Sequence, residues 1–219
     1  MIALTSLIRE HRIIARLVDA LAAYAERLKQ SSYVDPGDLV HFARAFREFT
    51  DEIHHEKEEG ILLPILARNG FAWEKGVLPE VRRDHRQERY LIDVLCQAGV
   101  REGEWSQEER RCVVATALAL VDFQREHMFM ENYGLFPEVP RRLPPQALAQ
   151  LELELGRFDR DVWSDPRRRE LMQQIETLIE RYAPAEATGP LAVLDPASPS
   201  PWLSPEVFES PRRVHLVLR

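Results

Sequence analysis

An internal repeat constrains this chain more than any other feature. His54-x-x-x-Glu58-x-x-x-Leu62-Leu63-Pro64 returns 73 residues later as His127-x-x-x-Glu131-x-x-x-Leu135-Phe136-Pro137. Upstream, Arg9-Glu10-His11-Arg12 and Leu17-Val18-Asp19-Ala20-Leu21 return at an offset of 74 as Arg83-Asp84-His85-Arg86 and Leu91-Ile92-Asp93-Val94-Leu95. Each copy pairs a helical segment bearing one histidine with a second bearing His-x-x-x-Glu. Four imidazoles and two carboxylates are thereby offered by four helices.

The apolar spacing supports that reading. Leu4, Leu7, His11, Ile14, Val18, Leu21, Ala25 and Leu28 alternate steps of three and four, which places His11 on the inner stripe of a helix over 4–28. Ser31-Ser32-Tyr33-Val34 breaks the pattern, and Asp35-Pro36 supplies an N-cap followed by proline at the first helical position. The second helix runs to about Ala67 with Phe42, Phe46, Phe49, Ile53, Ile61, Leu62 and Ile65 inward. Pro64 is expected to kink or tighten its last turns, and Asn69-Gly70 stops it. After a loop over 71–76, a third helix near Pro79 carries Val81, His85, Ile92 and Leu95 on its inner stripe. Ser106-Gln107-Glu108-Glu109 is a capping-box signature for a fourth, which buries Val113, Ala117, Leu120, His127, Glu131 and Leu135. Similar helix lengths and moderate loops predict an all-α fold, an up-down-up-down antiparallel four-helix bundle over 1–140. Pro144-Pro145 and Asp165-Pro166 open two accessory helices over 141–182, with Leu171, Ile175, Leu178 and Ile179 as an apolar edge against the bundle. From Ala183 onward 7 of the 37 residues are proline, which excludes a helix over 183–219. Leu191, Val193, Leu194, Trp202, Leu203, Val207 and Phe208 make that tail too apolar for a solvated linker. We expect it to dock on its own bundle, on a second copy or on a protein partner.

Bulk properties narrow the class. The 219 residues suit one core with extensions. A net charge of −7 disfavours nucleic-acid or anionic-membrane partners, and no apolar run approaches the ~20 residues that span a bilayer. The N-terminal stretch is too soon charged for a secretory signal. With only two cysteines, Cys96 and Cys112, both read as buried thiols, the expected setting is cytoplasmic.

Residues i and i+4 share a helix face, so His54 with Glu58 and His127 with Glu131 each aim an imidazole and a carboxylate at one point, while His11 and His85 face it from the other helices. Burying this set without a partner costs several kcal/mol or more. Two cations, each taking two imidazoles and sharing both carboxylates, convert that cost into binding energy. Mixed imidazole and carboxylate ligation suits iron, manganese or zinc. His55 and Glu59 offer a competing register, but counting back from Pro64 and Pro137 selects His54 and Glu58. A turn of about 100° then leaves His55 and Glu59 flanking or solvated. His41 and His215 lack partners at ligand spacing and read as surface residues. Asp51 and Gln124, three residues before His54 and His127, are candidates to accept an imidazole N–H. Glu88 stands where the first copy has Ile14, as a further ligand, a proton donor, or the partner of Arg86 or Arg89. Tyr133 either faces the pocket mouth or packs in the core.

The runs His54-His55-Glu56-Lys57-Glu58-Glu59-Gly60-Ile61-Leu62-Leu63-Pro64 and His127 to Pro137, with Glu10-His11-Arg12 and Asp84-His85-Arg86, resemble the hemerythrin-like, or HHE cation-binding, family over about residues 1–140. The resemblance implies a four-helix bundle around a non-haem di-iron centre. Glu58 and Glu131 would bridge, and His11, His54, His85 and His127 would be the terminal ligands. The family's oxygen carriers place a second histidine where this chain has Arg89, and an aspartate at longer spacing where it has Glu131. The symmetric set is closer to the wider family of oxygen or iron sensors and iron–sulfur repair proteins. The expected function is a di-iron protein that binds or senses oxygen, nitric oxide or iron level. The alternative is a redox enzyme that decomposes peroxide or scavenges nitric oxide, and a structural or storage role is weaker.

Overall fold

The computed structural model describes residues 4–30, 34–101 and 103–183, all helices and connections. The expected break at Ser31-Ser32-Tyr33 and the tail over 184–219, with His215, lie outside the described residues. The helices are α1 (Thr5–Lys29), α2 (36–68), α3 (Val77–Gly99), α4 (107–142), α5 (Pro145–Ser164) and α6 (Pro166–Arg181). Among the described residues no helix is long and apolar enough to cross a membrane.

Local chemistry sets the helix starts. The Asp35 carboxylate accepts from Gly37 N at 2.9 Å, with Pro36 behind it, and opens α2. The Ser106 hydroxyl accepts from Glu109 N at 3.2 Å while Glu109 Oε2 accepts from Ser106 N at 2.8 Å, a full capping box for α4. Gly70, at φ 91°, takes the left-handed conformation that terminates α2. At the end of α3, a Cβ on Gly99 would meet Val40 N at 3.2 Å, so glycine permits the close approach of α3 to α2.

Two apolar clusters hold the helices together, and a polar layer separates them. One contains Ile14, Val18 and Leu21 of α1, Phe42, Phe46, Phe49 and Ile53 of α2, Ile92 and Leu95 of α3, and Val113, Ala117 and Leu120 of α4. The other contains Leu4 and Leu7, Leu62 and Ile65, Val81, and Leu135. The predicted inward residues are buried, Ile61 only partly. Along α1 and α3 the chain passes from the second cluster to the first, and along α2 and α4 it passes back. The four helices therefore alternate in direction, consistent with the expected antiparallel bundle.

Helix α6 is more than padding. Leu171, Ile175, Leu178 and Tyr182 join the first cluster, and each fully buried side chain of this size contributes roughly 1.5–3 kcal/mol. Tyr182 lies edge-on to Tyr24 and donates from its hydroxyl to Asp38 Oδ2 at 2.6 Å. Helix α5 instead places Ala147, Leu151 and Leu155 in the second cluster.

Three corrections to the sequence reading arise here. The turns before Pro64 widen rather than tighten: Glu58–Leu62 is π-helix, as is Glu131–Leu135 before Pro137, and α2 holds a further π segment over Phe46–His55. Each proline lacks the N–H that an α turn would use, and its ring crowds the carbonyl four residues back. An i to i+5 turn relieves both. The thiols are not buried, since Cys96 is partly exposed and Cys112 exposed, although both are free. His55, expected to be flanking or solvated, is flanking but not solvated, and is fully buried.

Candidate metal centre

The polar layer contains His11 from α1, His54 and Glu58 from α2, His85 from α3, and His127 and Glu131 from α4, all buried. The structure brings together all six residues selected by the repeat. His11, His54, Glu58 and Glu131 present one donor atom each within 4.8 Å of one another, and Glu58, His85, His127 and Glu131 do the same. His11 Nε2 lies 3.0 Å from His54 Nε2, and His85 Nε2 lies 3.2 Å from His127 Nε2. Both carboxylates belong to both groups. Glu58 places Oε1 3.6 Å from His54 and Oε2 3.3 Å from His85. Glu131 Oε2 stands 3.3 Å from the Nε2 atoms of both His11 and His127.

Whether this donor set suits a cation is tested by its unmet bonding. All four oxygens of Glu58 and Glu131 are buried without a hydrogen-bond donor. Two carboxylates left so in a dry interior are unfavourable unless a cation lies between them. Burial, reinforced by the Glu131 charge, holds the Glu58 carboxyl well above the usual carboxylate range. Burial keeps the imidazoles of His54 and His85 well below theirs, so both are neutral at pH 7 and free to donate a lone pair. At His127 burial acts the same way, but the charges of Glu131 and Glu88 outweigh it and push the imidazole up to about 10. Glu131 is drawn down despite its burial by His127 and His11. The residues fit two cations with two imidazoles and two shared carboxylates each.

An outer set of polar partners orients the histidines, and it is not the one expected. Asp51 accepts from Arg89 Nε at 2.6 Å and lies 3.5 Å from His55, not on His54. Gln124 donates to Glu88 Oε2 at 2.8 Å, not to His127. Instead His54 donates from Nδ1 to Glu10 Oε2 at 3.2 Å, and His127 Nδ1 faces Asp84 at 3.8 Å. His85 donates from Nδ1 to Glu59 Oε1 at 2.7 Å, and His11 to Asn132 Oδ1 at 2.9 Å. Such partners leave Nε2 as the atom free to meet a cation. The missed signal was in the repeat itself. Glu10 and Asp84 each precede a histidine of the six, Glu59 and Asn132 each follow a glutamate of the six, and each serves an imidazole on another helix.

The two groups differ in what lies beside them. Glu88 is fully buried and pairs with neither Arg86 nor Arg89. Its Oε2 stands 3.1 Å from His55 Nε2, and Arg89 instead donates to Asp51 and Glu59. His55 stacks on His85 with ring centroids 3.7 Å apart. With His85 and His127 it forms a third group of donors within 4.8 Å. Beside the other group, Phe136 stacks on His11 at 5.3 Å. Tyr133 is partly buried with its ring against Phe129, and His41 is exposed beside Asp38.

The family model described as the hemerythrin HHE cation binding domain matches residues 3–139. No curated protein and no solved structure matches the chain.

Proposed function

The chain belongs to the hemerythrin HHE cation-binding family, and from that premise we propose that it is a non-haem di-iron protein that binds or senses a small ligand such as oxygen or nitric oxide. In this reading the up-down-up-down bundle is the frame. His11 and His54 would hold one iron, His85 and His127 the other, and Glu58 and Glu131 would be shared between them. The observation that carries it is the pair of buried carboxylates shared by two imidazole pairs, with no other partner for their oxygens. Manganese or zinc would satisfy the same donors, and iron is favoured by family membership.

Two irons so held would supply electrons in pairs and open coordination positions to a small molecule. The chain's own groups do the rest. Glu10, Glu59 and Asn132 fix the tautomers of His54, His85 and His11. Phe136 covers His11 with an apolar face, and the two clusters exclude bulk water from the layer. Only small molecules can approach a site this enclosed. The test is the visible spectrum of the iron-loaded protein under oxygen or nitric oxide. A reversible change that is absent in Glu58→Ala is expected, and an unchanged spectrum with both gases would refute ligand binding.

A second reading, a redox enzyme acting on peroxide or nitric oxide, is favoured by one observation. His55, Glu88 and Gln124 form a buried polar chain against His85. In that case the iron-loaded protein evolves oxygen from peroxide, and Glu131→Ala abolishes it while His41→Ala does not. Absence of oxygen evolution would remove the peroxide version.

A further inference from the structure

Lys57 is the charged group that the centre as described leaves unused. It lies on α2 between His54 and Glu58, and its side chain is fully buried. Its ammonium donates to Glu10 Oε1 and, at 2.8 Å, to Asp159 Oδ1 on α5. The Phe158 ring lies 6.0 Å from the same nitrogen. Glu10 uses its other oxygen, Oε2, to accept from His54 Nδ1. A chain of contacts therefore runs from α5 to a ligand imidazole: Asp159, Lys57, Glu10, His54.

The direction of control follows from burial. An ammonium with no solvent contact must be compensated by the carboxylates around it. Two carboxylates share that task here, and Asp159, about one quarter exposed, is the outer one. With Asp159 in place, Lys57 engages one oxygen of Glu10 and leaves the other to His54. Without it, Lys57 has only Glu10 and competes with His54 for both oxygens. At His85 the acceptor Glu59 is likewise shared with a cation, Arg89, whose second partner is Asp51 on α2, so only the His54 chain reaches α5. Asn132, Glu59 and Asp84 all lie within 3–139, the span matched by the family model, whereas Asp159 lies beyond it.

We infer that Asp159 and Lys57 are positioning residues for His54, so that α5 is part of the metal centre and sets how tightly the His11/His54 position holds its cation. This rests on the two-metal reading. The linkage is reciprocal: a cation at that position stabilises the docking of α5. Changes in groups that orient a ligand histidine weaken metal binding by roughly 10- to 100-fold, and that is the effect expected of Asp159→Asn.

The experiment loads the full chain with iron(II) without oxygen and follows release of each iron to a ferrous chelator. For Asp159→Asn we expect one of the two irons to leave roughly 10- to 100-fold faster and the other at its original rate. Asp159→Glu should restore slow release. Leu151→Ala, which loosens α5 in the second cluster but keeps the Asp159 carboxylate, should speed release of the same iron by much less than Asp159→Asn does. Wild-type rates in Asp159→Asn, or equal acceleration in Leu151→Ala, would overturn the tether while leaving the two-metal reading intact. A wild-type chain that takes up no iron would overturn that reading and the tether with it.

Discussion

The two halves of the centre are alike in ligands and unlike in neighbours. Each has two imidazoles meeting at Nε2, the same two glutamates, a π turn between glutamate and proline, and oxygen acceptors on the outer imidazole nitrogens. Yet His55 and Glu88, buried beside His85, correspond through the repeat to Met128 and Ile14. At these two positions one half has an ion pair and the other has apolar side chains. Two cations held as proposed would demand the same donors in both halves, which accounts for the kept spacing. Nothing in coordination fixes the next layer, and there the halves diverge. The His85/His127 group thereby has a buried polar flank at two positions that are apolar in the other half, where the Lys57–Glu10 pair meets His54 from the α5 side instead.

That comparison can be broken most forcefully at the shared atoms. Glu58→Ala and Glu131→Ala each remove a donor common to both positions, so both should lose both metals. His11→Ala and His85→Ala should each lose one, and metal content by elemental analysis separates these outcomes. If His11→Ala empties both positions, the halves are not independent.

The flank comes next in size. Glu88→Ile, which copies the first half, strands a buried His55. Breaking one partner of a buried pair costs about 3–5 kcal/mol, to be read from denaturant unfolding of the metal-free protein. His55→Met with Glu88→Ile copies the apolar flank completely and should recover most of that loss. A double variant as unstable as the single one would show that the pair is not a closed unit.

Proton linkage gives a smaller effect with a definite sign. Glu58 is held above its usual range and His127 at about 10, so near neutral pH the metal-free centre carries protons that a cation must displace. His54 and His85 are held low and contribute none. Metal uptake should therefore release protons and tighten as pH rises. Uptake without proton release, measured in weakly buffered solution with an indicator, would contradict the assignment.

The smallest effects test the frame alone. Asp35→Ala at the start of α2 and Ser106→Ala at the start of α4 should each cost about 1 kcal/mol and leave metal content unchanged.

Much of this was legible in the sequence, and the limit has a physical cause. Spacing against Pro64 and Pro137 picked out His54, Glu58, His127 and Glu131, and the upstream repeat picked out His11 and His85, the six that the structure brings together. Burial of Val81, Ile92 and Leu120 followed from ordinary 3.6-residue periodicity. His55 was misread because that periodicity does not hold in a π segment. A wider turn brings successive residues closer in direction, so His54 and His55 both face inward. Asp51 and Gln124 were misassigned by assuming that a histidine is oriented from its own helix, when each is held from a neighbouring one. Lys57 gave no signal at all, because its burial depends on α5, about a hundred residues away in sequence.

The most direct measurement is the metal content of the chain purified without added metal, with the Mössbauer spectrum of the iron it holds. The account predicts two irons per chain and two inequivalent signals of equal area. A folded protein with no metal, or with zinc alone, would contradict it.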